Sequence, residues 1–147
     1  MSEDFLSKIT NEFDFDVKNI HLFSPLVLAY VGDAVYEVYV RTLLVCGESA
    51  PVHKLHKRSI SFVKAKSQSD ILHRIMESLD HEEQEIVRRG RNAKSGTIPK
   101  NADVTEYKHA TAFETLIGYL YLKKDFDRLM QILKMAVADI KIQDGKS

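Results

Sequence analysis

Residues 24–47, SPLVLAYVGDAVYEVYVRTLLVCG, constrain this chain more than any other stretch. Ser24 followed by Pro25 is a helix N-cap with proline at the first helical position, where the missing N–H costs nothing. Gly47 stands where such a helix should stop. Between them Val27, Val31, Val35 and Val38 recur at helical spacing. A helix this long must be a main core element of a 147-residue chain. Its middle holds an awkward pair, Gly32-Asp33. Glycine costs about 1 kcal/mol relative to alanine inside a helix, and an unpaired carboxylate among apolar neighbours costs more. The pattern leads us to expect that both are largely buried.

The remaining chain also reads as helix, with no strand-like alternation, repeat or low-complexity segment. HKLHKRSISFVKAK (53–66) after Pro51 is a short basic helix. SQSDILHRIMESL (67–79) opens with Ser67 and Asp70, a capping-box spacing with Asp in place of Glu. Asp80 and Glu83 repeat that signal ahead of HEEQEIVRRG. Gly96, Pro99 and small polar residues make 91–104 a loop. TEYKHATAFETLIGYLYLKK (105–124) and DFDRLMQILKMAVADIKI (125–142), the latter capped by Asp125, complete the set. The sequence predicts one all-α domain over 23–142, an N-terminal extension over 1–22 compatible with a short helix or an irregular strap, and a tail over 143–147.

Hydrophobic residues make up 44% of the chain and charged residues 29%, the balance of a globular protein rather than a disordered one. No apolar run approaches the roughly 20 residues of a membrane span, and the acidic start MSEDFLSKITNEFDFD lacks the order of a signal peptide. The single cysteine, Cys46, excludes an internal disulfide framework and reads as inert packing at a helix end. A reducing cytoplasm is the economical expectation. The net charge of zero hides an uneven distribution: residues 1–51 are net −5 and residues 52–108 net +4. RRGRNAKSGTIPKN (88–101) carries Arg88, Arg89, Arg91, Lys94 and Lys100 with no acid.

Familiar nucleophile motifs and glycine-rich phosphate loops are absent. His53 and His56 share a face but have no third metal ligand at a natural spacing, so solvated or RNA-facing roles suit them better. The carboxylates are more informative. Asp33 and Glu114 sit in apolar stretches of two different helices, each beside a glycine, Gly32 or Gly118, that would let backbone or a ligand approach closely. Two such acids on packed helices would make a hard-cation site completed by water and substrate phosphate. Ordinary pairing of each acid with a nearby Lys, Arg or Tyr is the structural alternative, and spacing alone leaves both open.

LVLAYVGDAVYEVYVR (26–41) resembles the ribonuclease III motif, and TAFETLIGYLYL (111–122) resembles the second acidic helix of that domain. With LHKRSISFVKAKSQ (55–68) and RRGRNAKSGTIPKNADV (88–104), the segments follow in order the pattern of the family's compact branch, Mini-ribonuclease III, which consists of the catalytic domain alone. The resemblance covers roughly 26–122. It implies a ribonuclease III catalytic-domain-like helical bundle, a symmetric homodimer with a valley for double-stranded RNA, and hydrolysis leaving a 5′-phosphate and a 3′-hydroxyl.

Carried over position by position, the resemblance makes Asp33 and Glu114 the catalytic and metal-binding acids, with Mg²⁺ as cofactor and Mn²⁺ as a substitute. It also exposes two departures from the wider family. Ala29 stands where that pattern has Glu, and Thr111 where it has Asp. These imply fewer protein ligands and more water around the metal, with Thr111 orienting a metal-bound water through its hydroxyl. Full-length relatives add a double-stranded-RNA-binding domain; this chain is expected to have none and to grip RNA with its catalytic domain. Arg88, Arg89, Arg91, Asn92, Lys94, Ser95 and Lys100 are the candidates, with Lys57 and Lys66 (and Lys54, Arg58 and Lys64) beside them, since A-form RNA is recognised through phosphates, 2′-hydroxyls and shape. The implied role is maturation of 23S ribosomal RNA precursor ends in the bacterial cytoplasm; whether a large-subunit ribosomal protein presents the substrate stays open. Two rival readings are a non-catalytic RNA- or ribosome-binding protein on the same scaffold, and a plain helical oligomerisation module. Neither accounts for the acids and the acid-free basic segment together.

Overall fold

The computed structural model describes residues 4–13, 18–94 and 97–138. Seven α-helices make up the described fold, and no strand occurs among the described residues: α1 (Phe5–Glu12), α2 (Pro25–Gly47), α3 (Val52–Val63), α4 (Ala65–Ile75), α5 (His81–Asn92), α6 (Val104–Leu122) and α7 (Phe126–Val137), with 3-10 turns at Ile20–Leu22 and Met76–Ser78. The all-helical expectation is met. Of the N-terminal extension, the described part contains α1 and the first 3-10 turn.

Local chemistry accounts for most of the boundaries. Ser24 Oγ accepts from Leu26 N at 3.3 Å ahead of Pro25. Asp80 and Glu83 form a reciprocal capping box at the start of α5, with bonds of 2.8 and 2.9 Å. Asp103 caps α6 and Asp125 caps α7. The expected capping role of Ser67 fails. One extended residue, Lys64 (ψ 153°), separates α3 from α4, so α4 starts at Ala65. Ser67 lies inside that helix, and its hydroxyl donates back to Ser61 O at 2.6 Å. Gln68 Nε2 ties the same corner by donating to Val63 O at 2.9 Å.

α6 is the axis of the domain. From Ala112 to Leu120 every residue except Glu114 is buried, and α2, α4 and α5 pack around it. Helices hydrophobic on all sides belong in the centre of a bundle. Phe113, Leu116 and Ile117 meet Tyr36 of α2, Phe62 of α3 and Ile132 of α7 in one core cluster. Tyr36 stacks edge-on against Phe113 at 5.1 Å and donates its hydroxyl to Phe62 O at 3.2 Å, which satisfies the one polar atom it carries into the core. Cys46 departs from its expected packing role: it is exposed at the end of α2.

Candidate active site

α2 and α6 cross backbone against backbone. A Cβ on Gly32 would lie 1.8 Å from the carbonyl oxygen of Glu114, and a Cβ on Gly118 would lie 1.9 Å from the carbonyl oxygen of Leu28. Only glycine leaves room for that approach. Of the two uses foreseen for these glycines, the structure assigns the backbone one. The crossing has a chemical consequence, because the residue after Gly32 is delivered beside the side chain of Glu114.

Asp33 and Glu114 line one cavity of about 150 Å³, together with Thr111 and Tyr107 of α6, Gln68 of α4 and Val63 at the end of α3. The expected burial of Asp33 is not met: the side chain is exposed, while Gly32 is buried. The physical reason is helical geometry. Gly32 occupies the position facing α6, and its successor is turned about 100° around the helix, toward the opening. Glu114 is half-buried. Its carboxyl is pushed up to about 9 by burial first, then by the charge of Asp33, a hydrogen bond with Asp33 and the charge of Glu37. At neutral pH Glu114 therefore keeps its proton beside the Asp33 carboxylate.

Two acids facing each other across one cavity are the arrangement a hard divalent cation would bridge. The donor set fits such an ion: two carboxylates, the Thr111 hydroxyl and the Gln68 amide, all oxygen donors. Among the described residues no group of three His, Cys, Asp or Glu side chains is placed to hold a metal. Ala29, one turn before Asp33, is buried and offers no donor. Thr111 donates its hydroxyl proton to Tyr107 O at 3.0 Å, which leaves its lone pairs free to accept from a water. Glu37, whose charge also acts on Glu114, is paired with Arg41 at 2.8 Å.

The basic candidates divide by what they touch. Arg89 is half-buried and reaches back to the carbonyls of His21 and Phe23 at 3.4 and 3.5 Å, which ties α5 to the segment before α2. Arg88 is exposed but committed to Glu85 through two hydrogen bonds. Arg91, Asn92, Lys94 and Lys100 are exposed, as are Lys57 and Lys66, the latter paired with Asp70 at 3.3 Å. Ser95 lies outside the described residues. Arg91 has a particular neighbourhood. Burial, His73 and then the charge of Arg91 all lower the pKa of His109. His109 stacks edge-on against His73 at 4.5 Å, and Ser69 Oγ lies 3.5 Å from its Nδ1. Ser69 and His109 adjoin Gln68 and Ala110, two residues of the acid cavity wall.

Comparison with known proteins decides the family. The Ribonuclease III domain profile matches residues 26–125. The chain belongs to the ribonuclease III family. A Mini-ribonuclease 3 of Thermoanaerobacter sp. is 52% identical over 118 residues, covering 80% of this chain and 83% of that protein. One from Staphylococcus aureus is 46% identical over 121 residues, covering 81% and 90%. An X-ray structure of a Fusobacterium nucleatum protein superposes with a TM-score of 0.74 at 36% identity, covering 82% of this chain and 97% of the other. The chain is thus an endoribonuclease of the ribonuclease III type.

Within that ribonuclease III framework, sequence reasoning missed two things. Gln68 enters the cavity wall from α4, and nothing in the spacing of KAKSQSD separates it from the polar residues around it. Arg89 reads as one of a basic run, and only the fold reveals that it bonds to backbone.

Proposed function

We propose that this ribonuclease hydrolyses double-stranded RNA with a divalent cation, Mg²⁺ or Mn²⁺, held by Asp33 and Glu114. The observation that carries the reading is the meeting of these two acids at one cavity. A bound cation would neutralise charge on the scissile phosphate and activate a water there. Ionised Asp33 and Glu114 would hold the ion, and Thr111 would accept a hydrogen bond from a water beside it. The water oxygen bonds to phosphorus as the P–O3′ bond breaks, the water gives up one proton and the departing O3′ takes one up, leaving a 5′-phosphate and a 3′-hydroxyl.

Arg91, Asn92, Lys94, Ser95 and Lys100, with Lys57 and Lys66, would contact the phosphates of the duplex. Arg88 and Arg89 contribute less in this reading, since Glu85 and backbone carbonyls already hold them. A homodimer is supported by an apolar stripe on one face of α2. Val27, Tyr30, Val38 and Val45 are all exposed, Tyr30 at 83%, an arrangement that a second copy of the chain would cover. The substrate we propose is the paired ends of a 23S ribosomal RNA precursor in the bacterial cytoplasm; no described helix is long and apolar enough to cross a membrane.

Incubation of labelled duplex RNA with Mg²⁺ or with EDTA tests the proposal. The expected result is cleavage with Mg²⁺ alone, lost in Asp33→Asn, with single-stranded RNA spared. Cutting that persists in EDTA, or full activity of Asp33→Asn, would overturn it.

A further inference from the structure

We infer that Gln68 is the third protein oxygen donor of the cation site. The inference rests on the reading of Asp33 and Glu114 as that site. Gln68 is 3% exposed, and it lines the same cavity as the two acids and Thr111. Its orientation is set by its own hydrogen bond. Nε2 must donate to Val63 O at 2.9 Å, because a carbonyl only accepts, and this fixes which end of the amide is the oxygen. Oε1 is then buried with no hydrogen-bond donor. A buried amide oxygen without a partner loses its hydration for nothing, and no other buried side-chain nitrogen or oxygen among the described residues is in this position.

The location of the orphan explains it. A site with two carboxylates and no third acid is short of protein ligands for a divalent ion that prefers six oxygens. A neutral amide oxygen suits such an ion and adds no further charge to two acids that already repel each other. The corner between α3 and α4 is built to present it. Lys64 breaks the helix, Val63 O anchors the amide nitrogen, and the side chain is held at the cavity wall. α4 thereby supplies the donor that Ala29 of α2 lacks.

The experiment is a Mn²⁺ titration followed by electron paramagnetic resonance, with wild-type protein, Asp33→Asn, Gln68→Ala and Gln68→Glu, and a thermal melt of each in EDTA. Wild-type protein should bind and Asp33→Asn should not. Gln68→Ala should weaken binding by about tenfold or more, and Gln68→Glu, which keeps an oxygen for the ion but cannot donate to Val63 O, should bind more tightly than Gln68→Ala. Wild-type protein that binds no Mn²⁺ overturns the reading of the acids, and the inference with it. Wild-type binding matched within about twofold by Gln68→Ala overturns the role of Gln68 alone. If Gln68→Ala does not melt cooperatively, Gln68→Glu decides: loss of Mn²⁺ binding in a Gln68→Glu protein that melts as wild type does overturns the inference.

Discussion

Gly32 and Glu114 touch through their backbones, and this contact sets the distance between the two acids. A Cβ at residue 32 would fall 1.8 Å from the Glu114 carbonyl oxygen, an atom that cannot swing aside as a side chain can. Gly32→Ala must therefore push α2 off α6. The expected loss is about 3 kcal/mol or more, read from urea unfolding, with a comparable loss for Gly118→Ala. A change within about 0.5 kcal/mol would mean that the helices part easily and that the crossing does not hold the acids.

The proton on Glu114 makes stability depend on pH and on cations together. Its pKa rises from an ordinary 4.5 to about 9 in the folded chain. A raised pKa means that the folded state binds the proton more tightly than the unfolded state. The contribution is complete below pH 4.5 and is lost as pH rises toward 9. Melts in EDTA should show this decline, and Glu114→Gln should remove it. Added Mg²⁺ should oppose it by stabilising the ionised pair. A wild-type EDTA profile across that window identical to that of Glu114→Gln would contradict the raised pKa of Glu114.

The same residues mark how far the sequence could be read. The ends of α2, α5 and α7 were legible because Ser24-Pro25, Asp80 with Glu83, and Asp125 act on backbone groups within three residues. The start of α4 was not, because Ser67 bonds backward to Ser61 across a break that only Lys64 makes. Asp33 and Glu114 could be picked out as acids in apolar helices. Their contact depends on a crossing between residues far apart in the chain, and so does the exposure of Asp33. Gln68 lacked any signal, since an orphaned oxygen exists only once its neighbours are in place.

A second carboxylate shows the opposite pH behaviour. Glu83 is buried, and burial raises its pKa. Hydrogen bonds from Arg128 and from the Asp80 backbone outweigh that and hold it below the ordinary range. Arg128 grips both oxygens, at 2.7 and 2.8 Å. A depressed pKa gives stability that is present above pH 4.5 and lost as pH falls through the folded value. Glu83→Gln leaves Arg128 without its counter-charge and should cost about 3 kcal/mol near neutral pH, with less acid sensitivity than wild type. An unchanged denaturation midpoint would show that the pair is dispensable.

The basic residues should separate in their salt dependence. Each phosphate contact releases counterions, so removing one lowers the slope of log K against log salt by about 1. Arg91 and Lys94 are exposed at the end of α5, and the charge of Arg91 reaches the His73–His109 pair beside the acid cavity. The double variant Arg91→Ala, Lys94→Ala should weaken duplex RNA binding and reduce the slope by about 2, with its melt unchanged. Arg89→Ala should do the reverse. Its guanidinium bonds to His21 and Phe23 carbonyls, so the variant should lose about 1 kcal/mol of stability while keeping the wild-type slope. Filter binding of a short duplex at several salt concentrations reads both. If Arg89→Ala lowers the slope and the Arg91/Lys94 variant does not, the RNA track runs along the other side of α5, toward the segment before α2.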